Sequence, residues 1–235
     1  MKMTPTSFWT KLLDLFAPRL CVACQRRLSA GERVVCADCL HHLPLTLFSR
    51  NAYDNPMARL FWGLFPVERA TAWFFYEAGT ETANMVHAMK YYGREDVAEE
   101  LGRMAATDWQ ADDFFDGIDC IVPVPLSKDR QRQRGYNQSA LIAKGMALTT
   151  GLPVREEVLK RHSFHESQTH LTALERRENV DQAFSLDRAE GLEGKHLLLV
   201  DDVLTTGSTL IACAQQLVQI PQVRISVASL GMTKS

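Results

Sequence analysis

No stretch of this 235-residue chain approaches the roughly 18 unbroken apolar residues of a membrane-spanning helix, so a helical bilayer span is excluded. The N-terminal MKMTPTSFWTKLLDLFAPRL does not read as a secretory leader. Lys11 and Asp14 interrupt its apolar stretch, and no small-residue cleavage site follows. Neither sign of charge is in surplus. Lys and Arg number 26 against 28 Asp and Glu, a net of −2, so nothing global calls for a nucleic-acid or membrane partner. Internal repeats and low-complexity tracts are absent, and 46% hydrophobic with 23% charged residues excludes disorder and collagen-like structure. The run G-x-x-x-x-G-K-[ST] is missing too, which excludes a P-loop NTPase.

The six cysteines are unevenly spread: Cys21, Cys24, Cys36 and Cys39 are crowded, while Cys120 and Cys213 stand alone. Without a leader the expected location is a reducing cytoplasm, where disulfides do not persist, and a metal explains the crowding better than oxidation does. Each C-x2-C forms a tight knuckle, and two knuckles complete a tetrahedral thiolate site for zinc. Four protein ligands leave no open position for a substrate, so this zinc would be structural. His41 or His42 is an alternative to Cys39 as the fourth ligand, and redox-active or incidental cysteines are the alternative to a metal. A module this small buries too little core to fold alone, so metal binding would supply much of its stability. Cys120 and Cys213 read as small buried apolar residues.

Charge shifts along the chain. Residues 1–45 carry six basic and three acidic side chains, a net of +3. Four thiolates with one Zn²⁺ add −2 and leave about +1. Direct DNA binding by this module is therefore weakly supported, and partner docking or a solvated face fits at least as well.

The pattern divides the chain into residues 1–45, an amphipathic helix followed by the cysteine module; residues 46–115, a connecting, hood-like region; and residues 116–235, an α/β domain. Phe8, Trp9, Leu12, Leu13, Leu15 and Phe16 form an apolar stripe at helical spacing over residues 6–17, ended by Pro18. Such a stripe packs on its own protein, lies on a membrane or binds a partner helix. Residues 40–66 read as an irregular, aromatic-rich connection, residues 70–76 as a strand, and residues 81–105 as a helix broken near Gly93. From residue 116 strands and helices alternate. Strands are expected at 120–124, 153–159, 196–200 and 223–230, with helices at 137–149 and 209–218. Asn137 is a cap and Gly151 a terminator. That alternation indicates a parallel sheet flanked by helices.

The most informative segment is HLLLVDDVLTTGSTL, residues 196–210. A continuous apolar run, as a doubly covered strand needs, ends in Asp201 and Asp202. The hydroxyl-rich turn Thr205, Thr206, Gly207, Ser208, Thr209 follows, and then a helix begins. Ligands of open α/β sheets sit at the carboxyl ends of the strands. Free N–H groups at a helix start suit a phosphate monoester, and adjacent carboxylates suit the hydroxyls of a sugar. One segment would thus hold a ribose 5-phosphate from both ends. The alternatives are a receiver-type phosphoacceptor aspartate and an ordinary capped helix.

The run VDDVLTTGST resembles the phosphoribosyl pyrophosphate (PRPP) signature of type I phosphoribosyltransferases. With the four cysteines, Pro123-Val124-Pro125-Leu126, Arg134-Gly135-Tyr136-Asn137-Gln138, and Gln168, Arg176 and Asn179, the chain resembles the ComF/GntX family of competence and DNA-utilisation proteins. The resemblance implies a type I phosphoribosyltransferase-like parallel sheet with a small N-terminal zinc-ribbon-like module. Structural zinc, and Mg²⁺ accompanying PRPP, are the implied metals. Asp201 and Asp202 would be the catalytic acids, and Thr205–Thr209 the phosphate loop. The basic run after a strand end, Lys128, Arg130, Arg132 and Arg134, would include the pyrophosphate contacts Lys128, Arg130 and above all Arg134; a solvated basic loop is its alternative. Residues 160–184 would be a lid carrying Gln168, Arg176 and Asn179. The implied work is DNA uptake or utilisation, or nucleotide salvage linked to it, with uptake proteins such as a translocating ATPase as partners. A non-catalytic adaptor, using the fold for ligand sensing or for partner or single-stranded DNA binding, is the alternative.

Overall fold

The structure, a computed structural model, describes residues 18–91, 93–162 and 183–234. The helix expected at 6–17 and the lid residues Gln168, Arg176 and Asn179 lie outside the described residues.

The chain opens with the two cysteine knuckles and helix α1 (Ala37–His41), followed by a 3₁₀ turn (Phe48–Asn51) and helix α2 (Pro56–Arg59). Strand β1 (Val67–Tyr76), helices α3 (Glu81–Tyr91) and α4 (Glu95–Gln110), and strand β2 (Cys120–Pro123) come next. Helices α5 (Lys128–Arg134) and α6 (Gln138–Thr150) precede the short strands β3 (Leu159–Arg161) and β4 (Phe184–Leu186). Strand β5 (His196–Leu204), helix α7 (Ser208–Leu217) and strand β6 (Arg224–Thr233) complete the order. The main sheet runs β1-β6-β5-β2 and is parallel throughout, while β3 and β4 form a separate antiparallel pair.

Alternation along the strands builds two cores. Leu198, Val200, Ala228 and Leu230 face α3, α4, α6 and the cysteine module, whose Cys21, Val22, Val34 and Val35 join the same buried cluster. Leu197, Leu199, Ile225 and Val227 face the opposite side, with Phe61, Leu210, Cys213 and Leu217. Cys120 and Cys213 are both buried. Covering both faces explains why β5 reads as unbroken apolar sequence rather than as an alternation.

Local chemistry sets the element ends. Asn55 accepts from the amides of Met57 and Ala58 ahead of Pro56, a capped start for α2. Asn137 accepts from Ser139 N at 3.1 Å and Gly151, at φ 72°, ends α6, as the sequence predicts. The break near Gly93 separates α3 from α4. The basic run at 128–134 differs from expectation: it is a helix rather than a loop, because Ser127 caps it through Arg130 N and Gly135 stops it. Residues 153–159 also differ. Val154 makes one bridge to Ile121, and the strand begins at Leu159, pairing antiparallel with β4.

Helices α4 and α6 cross with their backbones in contact. A Cβ on Gly145 would lie 1.9 Å from the Glu99 carbonyl oxygen, and one on Gly102 would lie 2.2 Å from that of Ile142. Only hydrogen fits at either position.

Candidate functional site

The acidic pair lies where β5 loses one neighbour. Strand β2 ends at Pro123, opposite Val200, so from Asp201 onward β5 pairs with β6 alone. The open side is a cleft of about 360 Å³. Helix α3 supplies one wall with His87, Lys90 and Tyr91; α5 and α6 supply Arg130, Arg134 and Ser139; Asp201, Asp202 and Thr205 form the floor.

Ser139 Oγ donates to Asp201 Oδ1 at 3.0 Å, and the Asp202 amide donates to the same oxygen at 2.9 Å. Burial, and next the Asp202 charge, still push the Asp201 carboxyl up to about 7. Asp202 accepts from Val203 N at 2.6 Å and forms an ion pair with Lys90 Nζ at 2.9 Å. The two carboxylates are thus inequivalent: one is held beside a hydroxyl, the other beside an ammonium.

The turn after β5 closes a second, smaller hollow of about 40 Å³ lined by Thr205, Thr206, Gly207, Ser208 and Thr209. Gly207 adopts φ 78° at the N-cap of α7 and offers no side-chain cap, and the Ser208 amide has only a long contact, 3.5 Å, to Thr206 Oγ1. Thr206 Oγ1 and Ser208 Oγ lie 2.9 Å apart. The dipole of a ten-residue helix stands behind them, a fitting seat for an anion.

The predicted basic residues are partly assembled. Arg130 and Arg134 line the cleft. Arg134 donates to Gln138 Oε1 at 2.9 Å, and its guanidinium lies 5.5 Å from the centre of the Tyr91 ring. Lys128 opens α5. Sequence reasoning missed Lys90, Arg161 and Ser139. Arg161, at the end of β3, reaches the same cleft, with burial and then Arg130 lowering its pKa. It sits inside a segment read as a polar lid, and Lys90 inside an ordinary amphipathic helix, so neither carried a local signal.

The four cysteine sulfurs lie within 4.8 Å of one another. A Zn–S distance of about 2.3 Å in a tetrahedron sets sulfurs about 3.8 Å apart, and Cys24 and Cys36 Sγ are 3.7 Å apart. The cluster therefore fits a tetrahedral metal. His42 Nδ1 lies 2.8 Å from the Asp38 carbonyl oxygen, and neither His41 nor His42 belongs to the cluster. Arg26 reaches toward Cys36 at 4.0 Å and pairs with Asp38, placing positive charge beside the sulfurs. A cavity of about 430 Å³ adjoins this module, but the acidic pair and the phosphate-type turn lie elsewhere.

Among the described residues, no helix is long and apolar enough to cross a membrane.

No family model matches the chain. Among curated proteins it is similar to the DNA utilization protein YhgH of Salmonella typhi, at 34% identity over 138 residues, 57% of this chain and 60% of that protein. It is 40% identical to competence protein F of Haemophilus influenzae over 93 residues, 39% of this chain and 41% of that one. With competence protein ComFC of Bacillus subtilis the identity is 32% over 106 residues, 42% of this chain and 38% of that one. The chain thus spans no more than about 60% of the length of these relatives. Among solved structures, an allosteric regulatory enzyme of purine biosynthesis overlaps at TM-score 0.41 and 21% identity, covering 60% of this chain and 30% of that one. An adenine phosphoribosyltransferase from Leishmania tarentolae overlaps at TM-score 0.36 and 10% identity, covering 77% and 88%.

Proposed function

We propose that the chain is a member of the ComF family of competence and DNA-utilisation proteins, which its similarity to YhgH, competence protein F and ComFC supports, and that it binds PRPP or a ribose 5-phosphate ligand at the carboxyl end of β5. The observation that carries this reading is the order of chemistry along one surface. A phosphate-sized hollow at a helix start, a carboxylate pair and a cationic wall follow one another. Lys90, Arg130, Arg134 and Arg161 oppose Asp201 and Asp202 there, four cations against two acids. That surplus suits a ligand bearing more negative charge than one phosphate.

On this reading Thr205–Thr209 seat the 5-phosphate and the acids accept from the ribose hydroxyls. The basic residues face the pyrophosphate, which Mg²⁺ would accompany. Transfer would break the bond from the anomeric carbon to the pyrophosphate oxygen and form one to the acceptor's nucleophile. The leaving group would take the bonding electrons, and the carboxylates would favour the positive ring that develops. The cysteine cluster would hold structural zinc through Cys21, Cys24, Cys36 and Cys39. The family's competence and DNA-utilisation members support a role in DNA uptake or use, in the cytoplasm, alongside uptake proteins such as a translocating ATPase.

Isothermal titration with PRPP and with ribose 5-phosphate, Mg²⁺ present, tests the reading. A screen of acceptors for pyrophosphate release should follow. Saturable binding of both ligands is expected. No heat from either at millimolar concentration overturns the reading in favour of a pure interaction module.

A further inference from the structure

Lys90 stands 2.9 Å from Asp202 Oδ2, with both side chains largely withdrawn from solvent at 21% and 14% exposure. It projects from the last turn of α3, whose Met85 and Met89 are fully buried, so the helix that carries it is anchored. Asp202 is also the acid whose second oxygen is occupied by the Val203 amide at 2.6 Å. With Lys90 and Val203 in place, both Asp202 oxygens are engaged. A sugar hydroxyl that approaches Asp202 therefore competes with the ammonium for the charge on Oδ2. Lys90 has one ion-pair partner among the described residues, and the other cations of the cleft, Arg130, Arg134 and Arg161, lie on other elements.

Resting on the ligand reading above, we propose that Lys90 is a specificity residue that discriminates a sugar carrying pyrophosphate at its anomeric carbon from the same sugar without it. The ribose hydroxyls displace the ammonium from Asp202. With ribose 5-phosphate the displaced charge gains no partner, so the exchange opposes binding. With PRPP the ammonium swings on its four-carbon stem to the pyrophosphate and regains an anion. The ion pair thus suppresses occupancy by a ligand that cannot react.

Two measurements on the full chain test this. The first compares affinities for PRPP and ribose 5-phosphate, both with Mg²⁺, in wild type and Lys90→Gln. The ratio in favour of PRPP should fall by about tenfold or more, the scale of one charged hydrogen bond, and Lys90→Arg should restore most of it. The second needs no variant. Amine acylation of wild-type protein, read by peptide mass spectrometry, should label Lys90 slowly in the free protein, faster with ribose 5-phosphate and slowly again with PRPP. An unchanged ratio in Lys90→Gln, or equal labelling under the two ligands, overturns the inference while leaving the binding site standing. Absence of binding to either ligand by wild type overturns the site itself.

Discussion

Phe61 closes the underside of the Gly207 turn: a Cβ on Gly207 would lie 3.3 Å from Cε1 of this fully buried ring. The turn that would seat the proposed phosphate is therefore held between a helix start and an aromatic just beyond α2, more than a hundred residues earlier in the chain.

Gly207→Val should weaken ribose 5-phosphate and PRPP binding together by about tenfold or more. Its φ of 78° costs a non-glycine residue roughly 1–2 kcal/mol, and a β-branched side chain must also push against Phe61. Titration of the folded variant checks this. Wild-type affinity for ribose 5-phosphate in Gly207→Val would show that the turn is not the phosphate seat.

The Asp201 carboxyl, pushed up to about 7 by burial and by Asp202, makes binding pH-dependent. An ionised carboxylate accepts from ribose hydroxyls more strongly than a protonated acid does, so affinity should rise as pH passes upward through about 7. Asp201→Asn should remove that step. The ligand phosphate's own ionisation near about pH 6 affects both proteins alike. Replacing both acids by Asn should cost more in any transfer rate than in phosphate binding, because the charge matters most as the ring becomes cationic. Titrations from pH 6 to 8.5 on wild type and variant decide it, and identical profiles count against the assignment.

One zinc per chain is expected, and Cys24→Ser or Cys36→Ser should lose it. Because Cys21, Val22, Val34 and Val35 share a core with α3 and α4, metal loss should lower the melting temperature of the whole chain. Elemental analysis with calorimetry measures both effects. A folded, zinc-free preparation with four titratable thiols in the module would sink the metal assignment.

His196, 1% exposed and hydrogen-bonded through Nε2 to Ser226 at 2.8 Å, makes the fold acid-sensitive. Burial first, then Arg69 and Arg224, lower its pKa to about 4. An unfolded histidine protonates near about 6.5, so the stabilisation is complete above that pH and is lost as pH falls through 4. The loss amounts to up to about 3 kcal/mol. Asp201 acts oppositely, because its raised pKa favours the folded state at lower pH. The His196 contribution is therefore read from the difference between wild type and His196→Gln. Urea midpoints at pH 7 and 4.5 should show the smaller acid-induced drop in the variant.

What could be read from the sequence was what is local in it. The cysteine spacing, the apolar run of β5, the acidic pair and the Gly207 turn each lie within one short segment. So do the Asn137 cap and the Gly151 stop. What escaped depends on approach across the chain: Lys90 meets Asp202 from 112 residues away, Ser139 meets Asp201 from 62, and Phe61 lies beneath Gly207. No pattern in residues 81–91 distinguishes Lys90 from a solvated lysine on an amphipathic helix. The run at 128–134 misled in another way. Its alternating charges read as a loop, whereas Ser127 and Gly135 supply the start and stop of a helix. Residues 153–159 read as a strand, but Arg155, Glu156 and Glu157 interrupt the apolar residues, and Val154 makes a single bridge to Ile121.

The contact between α4 and α6 constrains how this protein can vary. Helix α6 carries Ser139, the hydroxyl beside Asp201, and its seating on α4 relies on glycine at 102 and 145. A methyl group at 145 would have to occupy the Glu99 carbonyl oxygen, so the helices would separate and carry Ser139 with them. Residues lining the cleft can be exchanged one at a time as a ligand changes. The two glycines admit no such drift, and a descendant that abandoned either would have to rebuild the angle between two helices before it could keep its acidic pair in order.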